Sequence, residues 1–223
     1  MSVGYAPRLG TITTLGQLLG PRFRHAVALA ANPATALGPG LDGVQLTNPA
    51  LNAVAMAGMA QDGAAGGIAA GVAYFRDLKA AGSLSAVTAT TATIRAGTTP
   101  VVLNWDYLNQ AAQTGVPGWK TFIPPGAVLG GYHAQAINKN APHPAAARLW
   151  EEFLYSQATT GGQNLFLQAG ARPVEQAAMT ADGTIDTAAA ARLPRATGPP
   201  VFLNPAQATT ARCLAANWPH DIP

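Results

Sequence analysis

Twenty-four glycines and 18 prolines are spread along 223 residues, and this punctuation limits the fold more than any other feature. Proline removes a backbone donor and glycine weakens helix and strand interiors, so each regular element has to be short. No apolar run reaches the roughly 18 to 20 residues that a membrane-spanning helix requires. What lies between the breakers is apolar enough to fold, because hydrophobic residues make up 48% of the chain. That is core material for one large or two small domains. The 13 basic and 10 acidic residues leave +3, too little to imply a nucleic-acid or membrane-surface partner. A single cysteine, Cys213, excludes an internal disulfide and a cysteine-cluster zinc site. Met1 is followed by Ser-Val-Gly-Tyr, so no secretory signal is read in this numbering.

The pieces between breakers alternate in period. Residues 2–6, 27–30, 100–103, 119–123 and 128–137 read as strands. A helical turn at 14–19 is expected to be capped by Thr13 or Thr14. Asn48 as cap and Pro49 at the first position predict a helix to about Gln61, with Leu51, Val54, Ala55 and Met59 on one face. A second helix covers 67–81, with Gly82 suited to the left-handed residue beyond its end. Short helices follow at 88–96 and 106–113. Pro144 opens an amphipathic helix expected to bury Ala147, Leu149, Trp150, Phe153 and Leu154. Helices after Gly161-Gly162 and near 174–180, 186–192 and 205–217 complete the chain, with 194–205 as a Pro-rich connector. Strands alternating with helices place the fold in the α/β class with a mixed or mostly parallel sheet.

Few patterns carry chemistry. Gly38-Pro39-Gly40-Leu41-Asp42-Gly43 matches G-x-G-x-x-G, but it lies far from both the preceding strand and the next helix, and Pro39 removes a donor. It reads as an ordinary loop. None of Ser2, Ser83, Ser85 and Ser156 lies in a G-x-S-x-G turn. Cys213, late in a helix beside Leu214, reads as a buried structural thiol. His25, His133, His143 and His220 show no metal-ligand spacing, and His143 between two prolines reads as a surface helix start. Glu151-Glu152 is a charged helix face. No catalytic constellation, metal site or cofactor is predicted.

The polar and aromatic residues that remain gather at strand ends. Asn104, Trp105, Asp106 and Tyr107 follow the Val101-Val102-Leu103 strand, and Tyr132, His133 and Gln135 lie along another. Open α/β sheets bind ligands beyond the carboxyl ends of their strands. Trp105 and Tyr107 offer stacking surfaces there, and Asp106 a charge. Equally, Asp106 caps the helix at 106–113 and Trp105 packs in a core; spacing alone leaves both readings open.

The order of segments supplies a resemblance. TLGQLLGPRFRHAVALAANP (14–33), GVAYFRDLKAAGSL (71–84), IRAGTTPVVLNWDYLNQAA (94–112) and the long run GGYHAQAINKNAPHPAAARLWEEFLYSQATTGGQNLFLQAGARPV (130–174) resemble, in order, segments of the extracellular solute-binding proteins of ABC importers. The similarity is greatest to the group that binds iron, polyamines, thiamine or aminophosphonates. It implies a type II periplasmic-binding-protein fold of two α/β lobes, here one complete lobe plus the C-terminal part of the other. SVGYAP (2–7) resembles the crossover strand, so the chain is expected to start at the hinge and to lack roughly a hundred residues of lobe one, a small domain's worth. Residues 1–130 are then lobe two, 131–170 the returning piece of lobe one, and 171–223 helices that pack back on lobe two.

The resemblance also implies roles. Trp105 and Asp106 match the strand-end pair that faces the cleft, and Tyr132 and His133 fall on the return strand. The adjacent Tyr-Tyr pair of ferric binders is absent. Polyamine binders offer an acid on the return strand where this chain has His133 or Ala134. A desolvated dication beside one carboxylate is costly, so the expected ligand is neutral, anionic or monocationic. The implied partners are a small solute and a membrane permease, and the full-length form is expected in the periplasm or at the cell surface. Two other readings stand beside this one. One is a cytoplasmic α/β enzyme using Asp106 and His133 as acid and base. The other is a homodimer that covers the apolar surface left by the missing lobe.

Overall fold

Four short strands form one mixed sheet: β1 (Ser2–Tyr5), β2 (Val27–Leu29), β3 (Val101–Asn104) and β4 (Lys120–Phe122), in the order β2-β3-β1-β4. β2 runs parallel to β3, with Val27 opposite Val101. β1 is antiparallel to both its neighbours, so that Val3 faces Leu103 on one side and Phe122 on the other. β1, β2 and the first three residues of β3 are buried, which is why they read as unbroken apolar runs rather than alternating ones. β4 is an edge strand and places exposed Lys120 there, a charge that discourages pairing with another chain.

The computed structural model describes residues 1–35, 48–63 and 67–222. They divide into two units, Met1–Gly131 with Pro194–Pro223, and Tyr132–Leu193. The G-x-G-x-x-G match at 38–43 lies outside the described residues.

In the first unit, α1 (Pro49–Asp62) and α2 (Ile68–Ala80) cover one sheet face. Phe23, Leu51, Met56, Phe75, Leu78 and Leu103 are fully buried there. Burying each side chain of that size contributes about 1.5–3 kcal/mol. The start of α1 follows its sequence signal: the Asn48 carboxamide oxygen accepts from the amides of Ala50 (2.8 Å) and Leu51 (3.3 Å). Gly63 ends the helix at φ 65°. The expected single apolar face is not what forms, because every residue from Ala50 to Met59 is buried. Small residues cause this. A Cβ on Gly58 would collide with the Gly67 carbonyl, and one on Gly71 with the Val54 carbonyl, so α2 lies closer to α1 than larger side chains allow.

The other sheet face carries Ala28, Val102, Ala112 and Trp119, and α3 (Thr91–Arg95) and α4 (Asp106–Ala111) follow in sequence. The turn at Gly16–Leu19 is 3₁₀, and its cap runs in reverse: the Gln17 side-chain oxygen accepts from the amides of Thr13 (2.8 Å) and Thr14 (3.1 Å).

Three further expectations are corrected. No strand spans 128–137; Leu129 alone bridges Val201 in parallel, and the chain beyond it has no ladder partner among the described residues. Cys213 is exposed rather than buried. The final helix, α9 (Pro205–Asp221), turns Leu214 and Trp218 inward, with Ile222 just beyond its end, and a residue one position before Leu214 points about 100° away. Trp218 meets Phe75 edge-on at 5.6 Å. The third correction concerns the second unit.

That unit holds α5 (Pro144–Tyr155), α6 (Gly162–Gln168), α7 (Gln176–Ala181) and α8 (Thr187–Ala191), numbered between α4 and α9 in chain order, and no strand among its described residues. No residue of α5 is buried. Leu149 is 69% exposed and Trp150 58%, and Phe153 is exposed as well. Ala147 and Leu154 are half-buried, and so is Glu151 on the same side. The helix therefore turns a mixed face inward and its most apolar stripe outward, because nothing in the described unit covers that stripe.

The unit's interior is bracketed by two buried amides. Gln163 donates to the Leu154 carbonyl (2.9 Å) and accepts from the Val174 amide (3.1 Å). Asn164 donates to the carbonyls of Ala158 (3.1 Å) and Thr184 (2.8 Å) and accepts from the Asp186 amide (2.7 Å). Such buried amides hold loops in place only because each polar atom finds a partner.

Candidate functional site

Strand alternation sets the directions at the carboxyl end of β3. Val101 and Leu103 face the α1–α2 core, while Val102 faces the other layer, and Asn104 follows Val102. Asn104, Trp105, Asp106 and Tyr107 are all half-buried. The Asn104 side-chain oxygen accepts from the Trp105 amide at 2.8 Å, which bends the chain out of the strand and into α4. Trp105 occupies the cap position of α4 without a side-chain cap bond, and Asp106 is the first helical residue. The Asp106 carboxylate accepts from the Tyr107 amide at 3.0 Å, so its charge lies in the first turn, where the helix dipole favours an anion.

Buried Asn109 ties this turn to the sheet. Its amide donates to the Ser2 hydroxyl at 2.9 Å and to the carbonyls of Ser2 and Val102 at 3.4 and 3.3 Å. Gly4 makes room for it, because a Cβ there would overlap Asn109 and lie 2.6 Å from the Trp119 indole nitrogen. The Trp105 ring packs against the α1–α2 core on one side. It also lies over Gly131, where an added Cβ would come within 2.6 Å of the ring. The choice between core residue and ligand surface thus resolves into a mixture: Trp105 is seated by the core and remains half-exposed. Burial raises the Tyr107 phenol above its ordinary pKa, and the neighbouring Asp106 charge adds to the shift. Tyr107 is therefore a neutral hydrogen-bonding group at physiological pH.

Asn104 also lines a groove of about 370 Å³ beside the ends of β2 and β3. Ala30, Thr90, Thr91, Arg95 and Leu108 share the lining. The hydroxyl of Thr90 caps α3 through the Thr93 amide (3.2 Å). Gly115 gives Arg95 its place, since a Cβ there would collide with the guanidinium. Sequence reasoning passed over Thr90, Thr91 and Arg95. The signal available was the Thr-rich cap opening a helix between two strand ends, with an arginine one turn later.

Tyr132, His133 and Gln135 belong to the second unit and lie on irregular backbone, all three exposed. Asp106 and His133 fall in different units. Among the described residues, no three His, Cys, Asp or Glu side chains gather as a metal would require. No helix among them is long and apolar enough to cross a membrane.

No family model matches the chain, and no curated protein does. Solved structures do. An extracellular solute-binding protein from Bordetella parapertussis is similar over 100% of this chain and 66% of its own, with a TM-score of 0.65 at 14% identity. An ABC transporter from Clostridium perfringens is similar over 99% and 65%, with a TM-score of 0.56 at 16% identity. A ferric binding protein from Bordetella is similar over 99% and 66%, with a TM-score of 0.51 at 20% identity. The chain has, in part, the mixed helix-and-sheet fold of these structures. It spans just under two thirds of the length of the structures it matches. They are described as transport and binding proteins, which gives the acid–base enzyme reading no support.

Proposed function

We propose that the chain acts as the solute-binding component of an ABC importer, outside the cytoplasmic membrane, delivering a small ligand to a permease. Its ligand contacts are Asn104, Trp105, Asp106 and Tyr107 at the β3 exit, with Tyr132, His133 and Gln135 as further contacts. The observation that carries this reading is the β3–α4 turn: an indole seated by the core yet half-exposed, beside a carboxylate and a neutral phenol, in a fold shared with solute-binding proteins. Ligands in such folds are held by a few fixed polar groups on apolar and aromatic walls. Closure of two lobes would exclude water and strengthen those contacts.

The groove refines the ligand class. Arg95 adds a cation to the groove that Asn104 lines, while Asp106 is the nearest acid in sequence. One carboxylate against one guanidinium suits a neutral, anionic or monocationic solute better than a dication. The Tyr132-His133 sequence lacks the paired tyrosines expected for ferric ion.

Isothermal titration of the purified chain with 2-aminoethylphosphonate, thiamine, putrescine and ferric ion tests this. Binding of the phosphonate or thiamine is expected, weakened at least about tenfold by Trp105→Ala, as for a buried aromatic anchor. Equal affinity in wild type and Trp105→Ala would remove the β3 exit from the site. Binding of putrescine or ferric ion alone would overturn the ligand class.

A further inference from the structure

The groove beside the ends of β2 and β3 is lined by two kinds of residue. Ile94, Leu108 and Ala111 supply apolar carbon, and Leu108 is 40% exposed. The polar residues supply donors. The Asn104 side-chain oxygen is taken by the Trp105 amide at 2.8 Å, so its NH2 group is what it can offer a ligand. Thr91 brings an exposed hydroxyl, and Arg95 a guanidinium with donors and no acceptor. Among the described residues no carboxylate lines the groove, and Arg95 forms no ion pair. Gly115 keeps the arginine there, because a Cβ would overlap its Nε and lie 3.0 Å from its Cγ.

We propose that this groove binds an aliphatic monocarboxylate, with the acid head on Arg95 and the chain along Ile94, Leu108 and Ala111. The proposal rests on the solute-binding reading given above and narrows it from three charge classes to one. Charge balance decides the head group. A single cation with no acid beside it is neutralised by one negative charge, and a carboxylate takes two N–H groups of a guanidinium at once. A cationic solute would meet Arg95 uncompensated.

The apolar lining decides the tail. A dipolar solute such as 2-aminoethylphosphonate would lay its ammonium on apolar carbon, where a charge without a partner is costly. A hydrocarbon chain gains from the same contact. At roughly 30 Å³ per water, a groove of about 370 Å³ holds on the order of a dozen waters, which is room for an acid of roughly six to eight carbons.

Isothermal titration of the whole chain at neutral pH with butanoate, hexanoate and octanoate reads head and tail separately. Affinity is expected to rise about two- to fourfold with each added methylene, as burial of that group predicts. Hexanoate is expected to bind more tightly than 2-aminoethylphosphonate, and hexan-1-ol, which lacks the charge, at least about tenfold more weakly than hexanoate. Arg95→Gln is expected to weaken hexanoate at least about tenfold, and Arg95→Lys to recover part of the loss by keeping the charge without the fork. Gly115→Ala leaves every charge in place and is expected to weaken hexanoate too, by displacing the guanidinium. Should a variant lose its helical circular dichroism, the chain-length series and the alcohol decide on the wild-type chain alone. No hexanoate binding, a flat series, equal binding of hexanoate and hexan-1-ol, or hexanoate indifferent to Arg95→Gln would each overturn the proposal. Trp105→Ala separates it from the broader reading. If that variant weakens phosphonate or thiamine while no carboxylate binds, the β3 exit keeps its role and the groove loses this one. If hexanoate depends on Arg95 and not on Trp105, the groove holds its acid and the β3 exit falls out of the site.

Discussion

In the first unit Phe23, Phe75, Leu51 and Leu103 are sealed between sheet and helices. In the second, the buried positions of α6 include Gln163 and Asn164, and Trp150, Leu149 and Phe153 face outward. One region is held by a broad apolar core; the other buries a small one, with Leu167 and Met179 sealed, beside amides that bracket its loops. Area resists unfolding in proportion to what it hides from water, whereas each hydrogen bond contributes only about 0.5–1.5 kcal/mol net. Amides specify geometry well and stabilise modestly. The difference teaches where each unit is complete: the first closes its core within the described residues, and the second leaves its largest side chains uncovered.

The largest test of that contrast lies in the first unit. Phe75→Ala is expected to cost about 3–5 kcal/mol in urea unfolding, because the ring is fully buried and meets both Tyr74 and Trp218 edge-on. A loss below about 1 kcal/mol would mean that the core relaxes around the cavity, and the comparison would fail on its stronger side.

A smaller effect is expected at Asp186, which caps α8. Its carboxylate accepts from the Ala189 amide and from Gln168, each at 2.9 Å. The Ala189 hydrogen bond, followed by that of Gln168, lowers its pKa below the ordinary 3.8. An acid with a depressed folded pKa stabilises the fold above its unfolded value and loses that contribution as pH falls through the folded value. Melting curves of wild type and Asp186→Ala should therefore differ at neutral pH, begin to converge below about pH 4, near the unfolded carboxyl pKa, and meet only below the lowered folded value. A constant difference across the range would show that the cap does not act through its charge.

The smallest change is expected at Trp150. Trp150→Ala should alter stability by no more than about 0.5 kcal/mol, as for a surface position. A cost of several kcal/mol would place the ring inside a core and cancel the contrast between the units.

Much of the first unit was legible in the residues. Asn48-Pro49 and Gly63 bound α1, and the Val101–Leu103 run is β3, because capping chemistry and unbroken β-branched runs are local signals. The reading fails where the cause is distant. The α5 stripe of Leu149, Trp150 and Phe153 was expected to be buried because helical spacing says which side is apolar, not whether anything lies against it. Residues 128–137 look like a strand, yet a strand exists only beside a partner, and Leu129 alone finds one. Cys213 was misjudged by one position on its helix. At the candidate site, Asn104 to Tyr107 stood out through residue type and place. Arg95 did not, since its position depends on the bare backbone of Gly115, twenty residues away.

Sheet order carries a last implication, for how the molecule comes to be made. β1 lies between β3 and β4, so residues 2–5 must wait for partners about a hundred residues further along before any ladder can close. α9, which brings Trp218 to Phe75, is later still, and the whole of Tyr132–Leu193 is synthesised in between. On a ribosome adding about 5–20 residues per second, the helical segment emerges while the sheet-bearing part still lacks its final helix. Closing so long a loop slows folding more than it weakens the finished fold. Through that interval Phe75 is left without the Trp218 edge, and a nascent chain at this stage is the form most in need of a chaperone.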